Sequence, residues 1–395
     1  MRQTLGSLSW RSAWAFAPVL SALPIPRSLV VVLTPAPPRS LGDEAIIRGL
    51  LNGLDKDPGS LRFIESSSTK AGYGWASVLV VGIQGPALSS RVSGLAHLSL
   101  LVRASDVYVL GADVLDGHYS IELSRRRIEF ARLAERAGAA VSIVSYSLNE
   151  SPGPQARQAL AKVPPTVRLV ARDPLSAART FEFAGRDAVL GADLAFLATG
   201  REQAQPSSVR DGSLCFVPNA ALSAWCGGYE NLVNIVAGAV QALLESPSVL
   251  SVELMPHDLR SACTTGDIAL CRSVTEVLHH ESDRLAMRVP HDALHARAIL
   301  GSAEVVLTAR MHAAVGALCE SRPLLLFGYQ GKAEGLLDAF GLGEQLLSPS
   351  ALGDYHSLRS SVEATFERSE ILHGVIASRL PEVRERAFLN FREPS

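Results

Sequence analysis

From Ser302 to Gly335 the chain reads SAEVVLTARMHAAVGALCESRPLLLFGYQGKAEG, two short apolar runs on either side of an Ala-rich segment. Glu304 to Thr308 is β-branched and apolar without polar alternation, the pattern of a strand buried on both faces in a parallel sheet. Met311 to Cys319 reads as a helix and Pro323 to Phe327 as a second strand. Arg310 and His312 therefore fall where a strand hands over to a helix. The first backbone N–H groups of that helix lack intrahelical partners and its dipole adds partial positive charge, so the turn favours an anion before any side chain is counted. Arg310 adds a permanent cation with a planar fork of donors, and His312 a group that exchanges a proton near neutral pH. The loop Gly328-Tyr329-Gln330-Gly331-Lys332 follows the second strand and brings Lys332 to the same kind of strand end. An Arg and a His at such a turn also occur in α/β proteins without a functional role, so the features alone do not decide.

The same alternation runs through the chain. Its 395 residues suffice for two ordinary domains, and a hydrophobic share of 47% against 19% charged describes a folded protein. The net charge of −2, with no basic run, argues against nucleic acid as the main partner. Cys215, Cys226, Cys263, Cys271 and Cys319 are odd in number and show no CxxC spacing, which fits free thiols in a reducing compartment. His291 and His295 share a helical face, but His-Asp-Ala-Leu-His is not HExxH chemistry, and no metal is expected.

Residues 1–28 are apolar between Ala13 and Ile25 but broken by Pro18 and Pro24, too short for a spanning helix. They are expected as a poorly ordered or membrane-associated extension, with a secretory signal as a further reading. Ser28 to Thr34 is the first strand, followed after a Pro-rich loop by Gly42, Asp43 and Glu44 and a helix from Ala45 to Leu54. Asp43 and Glu44 read either as catalytic carboxylates or as first-turn acids that complement a helix dipole. Ala76–Val81 and Val107–Leu110 are further strands, the latter running into Gly111, Asp113 and Asp116. Ile121 to Ala137 is an amphipathic helix with Arg125, Arg126 and Arg127 expected on its wet face. Strands at Ala140–Ser145 and Val167–Ala171 follow. The latter ends in Arg172-Asp173-Pro174-Leu175-Ser176, an anion clamp or a cap with a surface ion pair. The expected division is an extension over 1–28, a domain over 29–197, a linker over 198–212, a domain over 213–375, and a C-terminal helix over 376–395 that packs back on the first domain. In the second domain a strand from Val249 to Met255 ends at Pro256-His257-Asp258, where His257 is either a ligand group or a structural residue.

Arg310-Met311-His312, preceded by Ser-Ala-Glu-Val-Val and followed by Arg322-Pro-Leu-Leu-Leu-Phe-Gly-Tyr and Lys332, resembles the C-terminal signature of the polysaccharide pyruvyl transferase family. Leu41-Gly42-Asp43-Glu44-Ala45, Arg172-Asp173-x-x-Ser176, Asp193-Leu194-Ala195-Phe196 and Pro256-His257 match further family elements in order, so that the resemblance covers roughly residues 28–345. The chain departs from the pattern at Ser40, where the family has Asn, and at Ala112 and Asp113, where it has a Gly-Gly-Gly element with Gly111.

The resemblance implies an α/β fold of two Rossmann-like parallel-sheet domains facing a cleft, similar to the GT-B glycosyltransferase architecture, with the acceptor on the first domain and the donor on the second. It implies transfer of pyruvyl from phosphoenolpyruvate to two hydroxyls of a sugar, with a cyclic ketal and phosphate as products and no cofactor. Arg310, Lys332 and Arg172 would bind the donor. His312 would protonate it, and Asp43, Glu44 or His257 would deprotonate the acceptor. Gly42, Gly111, Asp113 and Asp116 would line the acceptor side, and domain closure would exclude water. The expected partners are phosphoenolpyruvate and a sugar acceptor, free or lipid-linked, and the expected place is the cytoplasm at the inner face of the membrane, with peripheral membrane contact. Two alternatives stand beside this reading: a GT-B nucleotide-sugar glycosyltransferase, and a non-catalytic binding or assembly protein on the same frame.

Overall fold

The computed structural model describes residues 2–35, 39–54, 58–64, 93–198, 211–260, 265–281, 283–328 and 331–392. The chain divides into two compact units, one of residues 1–38, 51–194 and 386–395, the other of residues 39–50 and 195–385. The strand expected at Ala76–Val81 and most of the 198–212 segment lie outside the described residues.

In the first unit, helix α1 (Arg2–Ser21) precedes strand β1 (Leu29–Leu33), whose five residues are all buried. Helix α2 (Leu41–Gly53) follows and belongs mostly to the other unit. Then come β2 (Leu61–Ile64), α3 (Ser93–Leu101), β3 (Ala104–Ala112), α4 (Ile121–Arg136) and β4 (Ala140–Tyr146). The run closes with α5 (Pro154–Leu160), β5 (Arg168–Ala171), α6 (Pro174–Ala184) and β6 (Val189–Leu190). All pairings are parallel, in the order β2-β1-β3-β4-β5-β6. The chain's end returns to this unit, where the Asn390 amide donates to Ala192 O at 2.8 Å and accepts from Ser145 N at 2.9 Å.

Two expectations change here. The segment expected as a poorly ordered or membrane-associated extension contains α1, in which Ala13 and Ala17 are fully buried in the unit's core and Arg132 lies over the Trp14 ring. Alanines four apart give α1 a flat face that packs closely, which is why it is not a free tail. Arg127 is fully buried, not on the wet face of α4. It shares the helix face of Ser124, Ala131 and Ala134, and its guanidinium donates to Leu110 O, Thr34 O and Pro35 O. Those carbonyls end β3 and β1, so the arginine satisfies backbone acceptors where the sheet's winding reverses.

The second unit contains β7 (Ser213–Val217), α7 (Tyr229–Leu244), β8 (Ser251–Leu254), α8 (Asp267–Val277) and β9 (Leu285–Met287). It continues with α9 (Ala293–Ser302), β10 (Val305–Thr308), α10 (Met311–Cys319), β11 (Leu324–Phe327), α11 (Ala333–Asp338) and β12 (Leu346–Leu347), and ends in α12 (Tyr355–Glu367) and α13 (Ser369–Phe388). Its parallel sheet has the order β12-β11-β10-β7-β8-β9. Numbered from its own first strand this is the doubly wound order 3-2-1-4-5-6, with the reversal between β7 and β10. The expected α/β class of two Rossmann-like parallel sheets is what the chain forms.

None of Cys215, Cys226, Cys271 and Cys319 is in a disulfide. Among the described residues no helix is long and apolar enough to cross a membrane.

Candidate active site

Ligands in open parallel sheets bind outside the carboxyl ends of the strands where the winding reverses. In the second unit that place is set by the residues following β7 and β10, Asn219 and Arg310. Asn219 ties the two ends together, its amide nitrogen donating to Ala309 O at 3.1 Å and its amide oxygen accepting from Ala221 N at 2.9 Å. Thr308 holds the next step, its hydroxyl oxygen accepting from Arg310 N at 2.9 Å. Arg310 itself is the residue before α10, in an extended conformation, so its side chain leaves the sheet edge just as the helix begins. His312 lies in the first turn of that helix.

The guanidinium of Arg310 is held. Its Nε and Nη2 donate in parallel to the two oxygens of Asp267, at 3.0 and 2.5 Å. Asp267 opens α8, and its fully buried carboxylate also accepts from Ala220 N at 3.0 Å, Asp258 N at 3.0 Å and His257 N at 3.4 Å. No sequence signal set this aspartate apart from an ordinary first-turn acid.

His257 follows β8, and its side chain is buried. Burial pushes its imidazole down to about 3, reinforced by the charges of Arg310 and His312 and opposed by Asp258. The ring is neutral at physiological pH, and a group so reluctant to take a proton is a weak general base, which corrects the role expected for it. Burial pushes Asp258 up, but hydrogen bonding and charge from Arg260, with the charge of Arg310, hold it below the usual carboxylate range.

The segment before α2 is docked onto this edge through its backbone. Ser40 bridges to Asp258, Leu41 N donates to His257 O at 3.4 Å, and Leu259 N donates to Arg39 O at 2.9 Å. This brings Gly42 under the His312 ring. A Cβ placed on Gly42 would meet His312 Nδ1 at 2.4 Å and Cγ at 2.5 Å, so the absence of a side chain at 42 is what admits the imidazole. Asp43 is buried beside it and strengthens the hold of Arg260 on its proton. Glu44 turns elsewhere: Arg48 Nε donates to it at 2.8 Å, and Arg48 also reaches Asp292, the cap of α9. Burial raises the Glu44 carboxyl against these bonds.

Gly42, Asp43, His257, Arg310 and His312 thus converge with Asp267 in one unit. Lys332 follows β11, the strand next to β10, and its side chain is buried at the start of α11.

The remaining candidates belong to the first unit and have structural work there. Arg172 donates to Asp193 at 2.8 Å and to Ser147 at 2.7 Å in a buried pair, which corrects the surface ion pair of the capping reading and occupies the expected clamp. Asp173 caps α6, accepting from Ser176 N at 2.7 Å. Asp116 is buried and accepts from His118 N and Asn149 N at 3.0 and 3.1 Å, so it fastens loops. Gly111 is needed for packing, because a Cβ there would lie 2.3 Å from the Cβ of Tyr146. Asp113 is half-buried on the turn after β3. Ala112 keeps a left-handed backbone, φ 43°, at the position where the family pattern has glycine.

The family model for polysaccharide pyruvyl transferase matches residues 41–331. The chain belongs to the polysaccharide pyruvyl transferase family. No curated protein matches the sequence closely enough to count as a relative. Solved structures match in fold: the S. aureus MnaA–UDP co-structure at 12% identity and TM-score 0.56, covering 93% of this chain and 99% of that one. UDP-GlcNAc 2-epimerase from Neisseria meningitidis bound to UDP-GlcNAc gives 11% and 0.57, covering 91% and 97%. A glycosyltransferase from Rickettsia africae gives 10% and 0.57, covering 93% and 100%. These likenesses establish the GT-B-like fold, while the family rests on the sequence match. Among the described residues no cluster of three or more His, Cys, Asp or Glu is arranged to hold a metal.

Proposed function

We propose that this family member transfers pyruvyl from phosphoenolpyruvate to two hydroxyls of a sugar in a cell-surface polysaccharide or its precursor, forming a ketal and releasing phosphate. The observation that carries the reading is the convergence of Arg310, the N-terminus of α10 and His312 where the second sheet's winding reverses. A donor with both phosphate and carboxylate suits an N-terminus whose N–H groups point outward beside an oriented guanidinium, with Lys332 on the neighbouring strand end.

The steps follow from the donor's chemistry. Protonated His312 gives its proton to carbon 3 of the enol, and carbon 2 becomes electrophilic. A sugar hydroxyl adds to carbon 2, and Asp43 takes its proton. The C–O bond to phosphate then breaks, the second hydroxyl closes the ring, and its proton leaves with the phosphate. Asp43 is the preferred base because it adjoins Gly42, which lies against the His312 ring, while Glu44 turns toward Arg48 and His257 resists protonation.

The test is calorimetric titration of phosphoenolpyruvate into the native protein and into Arg310→Ala. Binding that is weakened in the variant supports the reading; equal binding by both removes Arg310 from the donor site. The structural neighbours, a UDP co-structure, a glycosyltransferase and a UDP-GlcNAc 2-epimerase, favour one second reading, a nucleotide-sugar transferase. Saturable binding of UDP-GlcNAc without binding of phosphoenolpyruvate would favour it.

A further inference from the structure

We infer that Asp267 is a positioning residue for the donor site: it aims the Arg310 guanidinium. The inference rests on the proposed function for its substrate but not for its geometry. A planar guanidinium bonded through Nε and Nη2 to both oxygens of one carboxylate has its plane and direction fixed, and its Nη1 edge is turned away from that carboxylate. The carboxylate is itself immobile. Three backbone N–H groups from two separate segments, Ala220 after β7 and His257 and Asp258 after β8, converge on it. Asp267 thereby locks Arg310, which follows β10, to the ends of β7 and β8.

A second carboxylate makes this lock consequential. Asp258 Oδ2 lies 3.9 Å from Arg310 Nη2, close enough to attract the guanidinium but not bonded to it, and is itself engaged by Arg260. With Asp267 neutralised, Asp258 becomes the nearest negative partner and draws Arg310 out of line with the N-terminus of α10. A merely structural ion pair would not require the competing carboxylate to lose; an aimed one does.

The test compares the native protein, Asp267→Asn, Arg310→Ala and the double variant. Asparagine is nearly isosteric and loses the charge; its one amide oxygen still accepts either from Ala220 N or from His257 N and Asp258 N, while the amide nitrogen faces the other side. Phenylglyoxal labels arginines, and peptide mass spectrometry reads the rate at Arg310 without any substrate. Labelling of Arg310 is expected to rise about tenfold in Asp267→Asn, the factor for one hydrogen bond between charged groups. Phosphoenolpyruvate affinity is expected to fall by about the same factor, and Asp267→Asn should add nothing in the Arg310→Ala background, because coupled residues are non-additive. Unchanged labelling of Arg310, or an equal affinity loss in both backgrounds, overturns the inference. If labelling responds but the native protein binds no phosphoenolpyruvate, the substrate reading fails and the aiming role stands. Should Asp267→Asn not fold, Arg310→Lys asks the same question, since lysine keeps the charge but cannot form the two parallel bonds. Full affinity in that variant would overturn the inference, and a loss of about tenfold supports it.

Discussion

Replacing Gly42 with alanine tests whether the His312 ring is held where the chemistry needs it. The new Cβ would stand 2.4 Å from Nδ1, 2.5 Å from Cγ and 2.7 Å from Cβ of His312. Relaxing the shortest contact to about 3.5 Å requires a displacement of about 1 Å. The histidine Cβ cannot swing away by rotating the ring, so the shift reaches the backbone of α10 or α2. Overpacking of this kind costs about 1–3 kcal/mol, and the better helix propensity of alanine returns about 1 kcal/mol, for a net loss of about 0–2 kcal/mol. A misplacement of about 1 Å at a reacting group lowers turnover by about a hundredfold, far more than the stability change. Denaturant unfolding and phosphoenolpyruvate-dependent phosphate release measure the two effects. The His312→Ala background supplies the control: with the ring gone, two of the three contacts vanish, and Gly42→Ala should cost less stability there than in the native chain. Native-like turnover in Gly42→Ala would show that the ring yields without consequence, and the argument from close approach would fail.

Three other outcomes are expected. Ala112→Gly should gain about 0.5–1 kcal/mol in denaturant unfolding, since relief of a left-handed alanine exceeds the entropy glycine adds to the unfolded chain; any loss would refute this. Asp193→Ala should cost about 3–5 kcal/mol by stranding buried Arg172, whereas Arg172→Met combined with Asp193→Leu should be nearly neutral, and a costly double variant would point to packing beyond the pair. His257 takes a proton near 6.5 when unfolded and near 3 when folded, so below pH 6.5 the unfolded state binds more protons and stability falls with pH, by about 2 kcal/mol between pH 7 and pH 5. His257→Gln should remove that slope component, and identical pH profiles for the two proteins would place the ring in a less hostile setting.

What the sequence revealed depended on whether the decisive partner was local. The strand–helix–strand unit around Arg310 was legible within a residue because its period and breaks are written in neighbouring positions. Arg127 was misplaced because charge was weighed above period, although Ser124, Ala131 and Ala134 mark its face as the buried one. Gly111 was seen to matter, but its reason, Tyr146, lies on the adjoining strand. Asp267 was invisible, because its meaning comes from N–H groups after two other strands. The placement of residues 39–50 with the second unit was equally hidden, since it rests on backbone bonds to residues 257–259.

The charges of the candidate site bear on how it selects an anion. Arg260 and Arg310 are matched by Asp43, Asp258 and Asp267, so the positive charge that Arg310 brings to the turn is largely neutralised in the fold. A trap of net positive charge would accept many anions and would weaken with salt. Paired arginines instead offer N–H groups in fixed directions, and the N–H groups at the start of α10 add a second fixed set. Recognition then depends on whether a ligand's oxygens match those directions, which favours a small rigid molecule whose phosphate and carboxylate sit at a set separation. On the proposed function it also gives the aspartates a positive role: they would make the arginines selective by fixing their directions.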